Sequence, residues 1–203
     1  MHLSDTDILS RLENDESFNI TPIDNTDLQI QPASVDTRLA NQFIRYTQLN
    51  TRSINPLVDD MDSHTSRTVL DEGESYTLHP GDFVLGSTVE WVNIPNDIVG
   101  YVNGRSTMGR LAVVIHATAG LLDPGWKGNV TLEISNLGRV PIELTPGMRI
   151  AQLTFQELKS EATVPYGEER DSKYQGQDGV KSAQVDHEAG NMLRTTPFQP
   201  TSD

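Results

Sequence analysis

A carboxylate, two hydroxyls and two guanidinium groups are the side chains in this sequence best placed to do chemistry together. The stretch Asn129-Val130-Thr131-Leu132-Glu133-Ile134-Ser135-Asn136 alternates with the period of a β-strand. That period puts Val130, Leu132 and Ile134 on one face and Thr131, Glu133 and Ser135 on the other. A carboxylate on a polar strand face is ordinarily just solvated. If the face lines a pocket, Glu133 can carry protons between water and a base. Gly104-Arg105-Ser106-Thr107-Met108-Gly109-Arg110 sets forked guanidinium donors on either side of two hydroxyls, with glycines that let backbone approach a ligand. Phosphate oxygens would suit it, and a solvated loop with two arginines would read the same. Between these stretches lies His116-Ala117-Thr118-Ala119-Gly120-Leu121-Leu122-Asp123-Pro124-Gly125-Trp126. Asp123 could bond a sugar hydroxyl and orient a water, yet Asp-Pro-Gly is also ordinary turn chemistry. His116 reads as a structural or supporting residue rather than a ligand or base.

Composition removes several other chemistries. The chain has no cysteine, which excludes disulfides and every zinc site built on thiolates. Its net charge is −14, from 29 acidic and 15 basic residues, and such a chain is repelled by nucleic-acid backbones. The acidity fits a merely soluble surface, or better a salt-rich cytoplasm in which screening relieves the self-repulsion. On the second reading activity depends on high salt. No apolar run approaches the roughly eighteen residues that span a membrane, and the first residues carry neither a basic stretch nor an apolar core. The expectation is a soluble cytoplasmic protein.

The elements that must position these residues are mostly strands. With 203 residues, 35% of them hydrophobic, the chain has material for one domain with an aliphatic core and a tail. Ser4 and Asp7 fit a capping box before a helix whose Ile8, Leu9 and Leu12 share a face. Beyond it, 83–92, 111–118, 130–135 and 150–155 read as strands. His79-Pro80-Gly81-Asp82, Asp123-Pro124-Gly125 and Thr145-Pro146-Gly147 read as tight turns. Many short strands at this spacing imply a sandwich, barrel or jelly roll. Residues 50–68 are polar and read as a surface excursion. From about Lys159 Gly, Ser, Asp, Glu and Gln dominate, and the end of the chain, from about 184–186 onward, reads as a flexible tail.

Taken in order, these motifs resemble the dCTP deaminase family of the dUTPase-like superfamily. The resemblance runs through Ile30-Gln31-Pro32-Ala33-Ser34-Val35-Asp36-Thr37-Arg38-Leu39, Leu78-His79-Pro80-Gly81, the Gly104 to Arg110 stretch, Thr118 to Trp126 and Thr131-Leu132-Glu133. It continues through Pro146 to Leu153, Pro165-Tyr166-Gly167 and Ser172-Lys173-Tyr174-Gln175-Gly176-Gln177, covering about 1–183 and leaving out the loop around 50–68. It implies a mainly β fold, a distorted jelly roll or barrel with an N-terminal helix. It implies that Glu133 shuttles protons between the attacking water and N3 and the 4-amino group of the base. Ser106 and Arg110 would position that water and support developing charge. Arg105, Ser106 and Gln152, within a binding stretch that includes Thr107, Met108 and Gly109, would contact the nucleotide and its phosphates. Asp123 would contact the deoxyribose, and Thr131 and Leu132 would read the pyrimidine edge with main-chain groups. Tyr166, Lys173 and Gln177 would belong to a segment, 166–177, that closes over the triphosphate. The family also implies Mg²⁺ carried on the phosphates, no zinc and no protein ligand for a metal, dTTP as feedback inhibitor, and homotrimers with sites between subunits.

Two branches share this framework, one releasing dUTP and one cleaving it further to dUMP and pyrophosphate. Thr118-Ala119-Gly120, with Leu121 after it, and Ser172 to Gln177 resemble the dUMP-forming branch. A glycine at 120 would leave room for a water near the α-phosphate. A monofunctional dCTP deaminase is the alternative. A plain dUTPase or a non-catalytic nucleotide-binding jelly roll fits less well, because Glu133 is in place and the glycine-rich, aromatic-containing phosphate loop that closes dUTPases is absent.

Overall fold

Pro-Gly turns and alternating strands build this protein, a computed structural model that describes residues 1–47, 53–56, 59–118 and 120–184. The first element is the expected helix, α1 (Asp5–Asn14). The Asp7 N–H donates to the Ser4 hydroxyl at 3.3 Å and the Ser4 N–H donates to the Asp7 carboxylate at 2.9 Å, which completes the capping box. Ile8 is fully buried and Leu12 packs against the core. There follow β1 (Asn19–Thr21), α2 (Thr26–Gln29), β2 (Ile30–Gln31), β3 (Ser34–Arg38), β4 (Gln42–Tyr46), β5 (Thr65–Val69) and β6 (Tyr76–Leu78). The second half holds β7 (Phe83–Asn93), β8 (Ile98–Gly104), α3 (Ser106–Arg110), β9 (Val113–Val114), β10 (Leu121–Leu122), β11 (Lys127–Asn136), β12 (Ile142–Leu144) and β13 (Arg149–Glu157).

The strands form two main antiparallel sheets. One runs β5-β4-β7-β11-β9, with β1 also on β7; the other runs β10-β8-β13-β3-β2; β6 and β12 make a separate pair. Val84, Val92, Leu132 and Ile134 of the first sheet share one core with Val35, Val102, Leu153 and Phe155 of the second. Phe18 meets Phe155 edge-on at 5.0 Å between ring centres. The mainly β architecture with an N-terminal helix is the one the sequence implies. All three Pro-Gly turns close with the backbone hydrogen bond of a β-turn, Asp82 to His79, Trp126 to Asp123 and Met148 to Thr145, at 3.0, 3.0 and 3.2 Å. Their glycines take φ of +84° to +87°, which side-chain-bearing residues rarely adopt.

Three expectations change. The strand expected over 111–118 shrinks to Val113–Val114, because Ala112 takes a φ of 59° and the chain leaves β11 after Val114. The backbone beyond it serves a side chain instead of a ladder, as described below. The stretch after Gly104 is not an open loop, since 106–110 coil into α3. The polar excursion over 50–68 ends earlier than expected, because Thr65–Val69 pairs residue for residue with Gln42–Tyr46. That edge strand is exposed along most of its length, so no alternation of apolar residues marks it. Among the described residues no helix is long and apolar enough to cross a membrane. The tail beyond 184 lies outside the described residues.

Candidate active site

Glu133 reaches its site because β11 is regular along one edge and irregular at one point. Val130, Leu132 and Ile134 are buried as the alternation requires. Against β7 the register shifts between Asn129 and Thr131, and such a bulge re-aims side chains. Val130, Thr131 and Glu133 all line one cavity of about 410 Å³, a size suited to a small ligand. Val102, Leu122 and Trp126 line it too, and Tyr46, Phe83 and Leu85 arrive from β4 and β7. Within this apolar wall the Glu133 carboxylate has fixed partners. Its Oε2 accepts the Ala117 N–H at 3.0 Å and the Thr118 hydroxyl at 3.4 Å. This is where the backbone after Val114 is used. His116 Nδ1 stands 4.0 Å from the same oxygen, and both imidazole nitrogens are buried without a hydrogen-bond partner among the described residues. Leu132 is wholly buried in the core, which leaves its main chain as the part able to meet a ligand.

The C-terminal segment packs along the start of β11 and contributes to the cavity wall. Gly128 pairs with Gln177 in a parallel bridge, the Asn129 N–H donates to the Gln177 carbonyl at 2.8 Å and the Gly176 N–H to Lys127 at 2.9 Å. A Cβ on Gly128 would meet that Gln177 carbonyl at 2.8 Å, so the close approach requires glycine. The Gln177 amide donates to the Asn129 carbonyl at 2.9 Å, to Thr131 Oγ1 at 2.5 Å and to the Gly179 carbonyl at 3.1 Å. The Gln175 amide links the Lys127 N–H to the Gly125 carbonyl. The Tyr166 hydroxyl accepts the Tyr174 N–H at 2.9 Å, and burial, with Asp123 nearby, pushes its phenol above the ordinary range. Lys173 lies half-buried in the same segment. Both glutamine amides thus have protein partners within this segment and β11. Gln177 and Tyr174 line the Glu133 cavity, whereas Asp123 sits in the turn between two residues that do.

The remaining predicted residues gather elsewhere. Ser106, Thr107, Gly109 and Arg110 are exposed on α3, with Met108 buried beneath and the Arg110 guanidinium donating to Ser106 Oγ at 3.2 Å. Gln152 sits in β13 opposite Asn103 and Asp36. Arg105 is fixed by Asp36, whose Oδ2 lies 3.0 Å from both Arg105 Nε and Arg149 Nη1. Burial pushes the Asp36 carboxyl above its ordinary range against the pull of both arginines. A buried charge kept at that cost, between two cations, fits a role in aiming the Arg105 fork. None of Arg105 to Arg110, nor Gln152, lines the Glu133 cavity. Within one chain these residues therefore stand outside the wall of the Glu133 cavity.

The family model described as dCTP deaminase-like matches residues 2–158. The chain belongs to that family. It is 54% identical over 186 residues to the dCTP deaminase of Haloarcula marismortui, covering 91% of this chain and 95% of that one. It is equally similar, with the same coverage, to a protein of Halobacterium salinarum named dCTP deaminase, dUMP-forming. The crystal structure of the 2'-deoxycytidine 5'-triphosphate deaminase from Agrobacterium tumefaciens superposes with a TM-score of 0.60 at 24% identity. It covers 77% of this chain and 48% of that one, and this likeness concerns the fold.

In this dCTP deaminase-like chain the loop before Glu133 is tightly packed at one glycine. At Gly120 a Cβ would stand 2.7 Å from the Val102 carbonyl oxygen and 3.3 Å from His116 Cδ2. The Gly120 carbonyl also accepts the Val102 N–H at 2.7 Å. The glycine thus makes room for the backbone of β8. Leu121 is exposed and pairs with Tyr101, and Ala119 lies outside the described residues. Gly120→Ala should lower unfolding stability by about 1–3 kcal/mol, the usual cost of overpacking, as measured by denaturant unfolding in high salt. An unchanged midpoint would show that the loop yields freely there. Several lining residues carried no signal in the sequence: Tyr46, Phe83, Leu85, Lys181, Ser182 and Ala183 come from three separate stretches. Trp126, in the 116–126 stretch, also lines the cavity, a role its sequence position did not signal.

Proposed function

We propose that this chain deaminates dCTP at C4 in the Glu133 cavity and then cleaves the resulting dUTP to dUMP and pyrophosphate, supplying dUMP for thymidylate synthesis. The observation that carries the first step is the Glu133 carboxylate, held through Oε2 by Ala117 and Thr118 at the wall of an apolar cavity. Among the described residues its Oε1 accepts no hydrogen bond, so that oxygen is left to take a proton from water. Water oxygen bonds to C4 as Glu133 takes one of its protons and delivers it to N3, where it stays. Glu133 then carries the remaining hydroxyl proton to the amine, and the C4–N bond breaks to release ammonia as C4=O forms. One positioned acid/base group of this kind is worth roughly 10²–10⁴-fold in rate. Thr131 and the Leu132 main chain would read the base edge, Asp123 would contact the deoxyribose, and Tyr166, Lys173 and Gln177 would belong to the segment closing over the triphosphate.

Ser106 and Arg110, with Arg105 and Gln152, complete the site from a neighbouring subunit of a homotrimer. Their separation from Glu133 within one protomer supports this arrangement. The second hydrolysis rests on the names of relatives such as the Halobacterium salinarum protein and on Gly120 and Leu121. Mg²⁺ would travel with the triphosphate, and no side chain of this protein is assigned to it. dTTP, which shares the deoxyribose and triphosphate, is the expected feedback inhibitor. The charge of −14 supports work in a salt-rich cytoplasm.

Incubating the protein with dCTP and Mg²⁺ in high salt, then resolving dUTP, dUMP and ammonia, tests this reading. dUMP with equimolar ammonia is expected; accumulating dUTP assigns the chain to the monofunctional alternative, and intact dCTP rejects deamination. A chelator that removes zinc and spares Mg²⁺ should leave the rate unchanged. The chain has no cysteine, and among the described residues no three His, Asp or Glu side chains come together to hold a metal ion. Stoichiometric zinc whose removal stops turnover would contradict the mechanism.

A further inference from the structure

The polar excursion before residue 69 has no part in the chemistry so far, yet the end of the closing segment rests on it. Past Gln177 the chain turns at Gly179, and Val180 is fully buried in a small cluster with Ile44 and Leu85, apart from the main core. Arg67, on the edge strand β5, spans the join: one guanidinium nitrogen donates to Gln42 Oε1 at 2.9 Å and another to the Val180 carbonyl at 3.3 Å. Two further contacts extend it. Ser182 Oγ donates to Asp62 Oδ1 at 2.5 Å, and the Ala183 N–H donates to the Tyr46 hydroxyl at 3.2 Å. The residues held this way, Lys181, Ser182 and Ala183, form part of the wall of the Glu133 cavity, beside Tyr46 and Leu85.

We propose that the β4–β5 hairpin is the seat of the cavity-closing segment, with Arg67 as the positioning residue that clamps it through Val180. Arg67 is exposed and does not line the Glu133 cavity, so its effect on a bound nucleotide passes through the segment. A nucleotide bound tightly only when the segment is seated has an apparent affinity scaled by the seated fraction. Loosening the clamp therefore weakens substrate capture, whereas at saturation the nucleotide itself holds the segment down. The consequence is a rise in KM with little change in kcat.

This rests on the reading of the cavity as the dCTP site, and two readouts keep the claims apart. The full chain carrying Arg67→Gln is compared with wild type for dCTP kinetics and for the rate of limited proteolysis within 166–184 without nucleotide. Losing a hydrogen bond from a charged donor should raise KM about tenfold and speed cleavage by a similar factor, kcat changing less than about twofold. Arg67→Lys, which can still reach one of the two oxygens, should recover part of both effects. Val180→Ala, which removes the apolar anchor of the same segment against Ile44 and Leu85, should reproduce them. Unchanged KM and unchanged cleavage in Arg67→Gln would overturn the proposal, as would a fall in kcat at constant KM. If Arg67→Gln does not fold, Val180→Ala decides by the same two readouts. If wild type leaves dCTP intact, the reading of the cavity fails, and faster cleavage in the variants still decides the clamp.

Discussion

Glu133→Gln is expected to give a folded protein that binds dCTP and does not deaminate it. The amide is nearly the size of the carboxylate, and its oxygen can still accept the Ala117 N–H and the Thr118 hydroxyl that hold Oε2. β11 keeps its burial pattern, because the side chain at 133 is turned away from Leu132 and Ile134. What is lost is a group able to take a proton from water and return it to the base. A loss of roughly 10²–10⁴-fold in the rate of ammonia release is expected, with dCTP binding by calorimetry close to wild type. Near-normal turnover would remove Glu133 from the mechanism.

The second large effect is a recovery. Arg110→Ala should be as inactive as Glu133→Gln, since the proposed mechanism places Arg110 beside the attacking water. Yet Arg110 and Glu133 do not share a cavity in one protomer. If each site takes Glu133 from one subunit and Arg110 from the next, unfolding and refolding the two inactive proteins together restores intact sites. Random mixing in a cyclic trimer leaves about one site in four with both native residues, so activity should return to about a quarter of wild type. Activity that stays at the level of the separate variants would show that one protomer supplies both groups.

What could be read from the sequence was what is local. The capping box at Ser4 and Asp7, the three Pro-Gly turns and the alternation of β11 each depend on residues within a few positions of one another. The structure carries all of them. The strand β5 escaped because both its faces are largely exposed, so burial imposed no period on its side chains. The stretch after Val114 looked like a strand because it is apolar and β-branched. Its Ala117 amide donates to the Glu133 carboxylate instead of a neighbouring strand, a choice settled by tertiary geometry. Gly120 had a reason visible only once Val102 lay 2.7 Å from where a Cβ would be. Tyr46, Phe83 and Leu85 are far apart from Glu133 in the chain, and only the pairing of β4, β7 and β11 sets them around one space. The partners of Gln175 and Gln177 likewise depend on a docking that composition, polar and glycine-rich, argued against.

The most direct test is turnover of dCTP in water enriched in oxygen-18, followed by mass analysis of the nucleotide products. Two hydrolyses with separate waters predict dUMP as the nucleotide product, carrying one heavy oxygen at C4 and one on its phosphate, with an equivalent of ammonia. Unlabelled dCTP recovered intact from active-temperature, high-salt incubation, or dUTP accumulating with one heavy oxygen at C4, would contradict it.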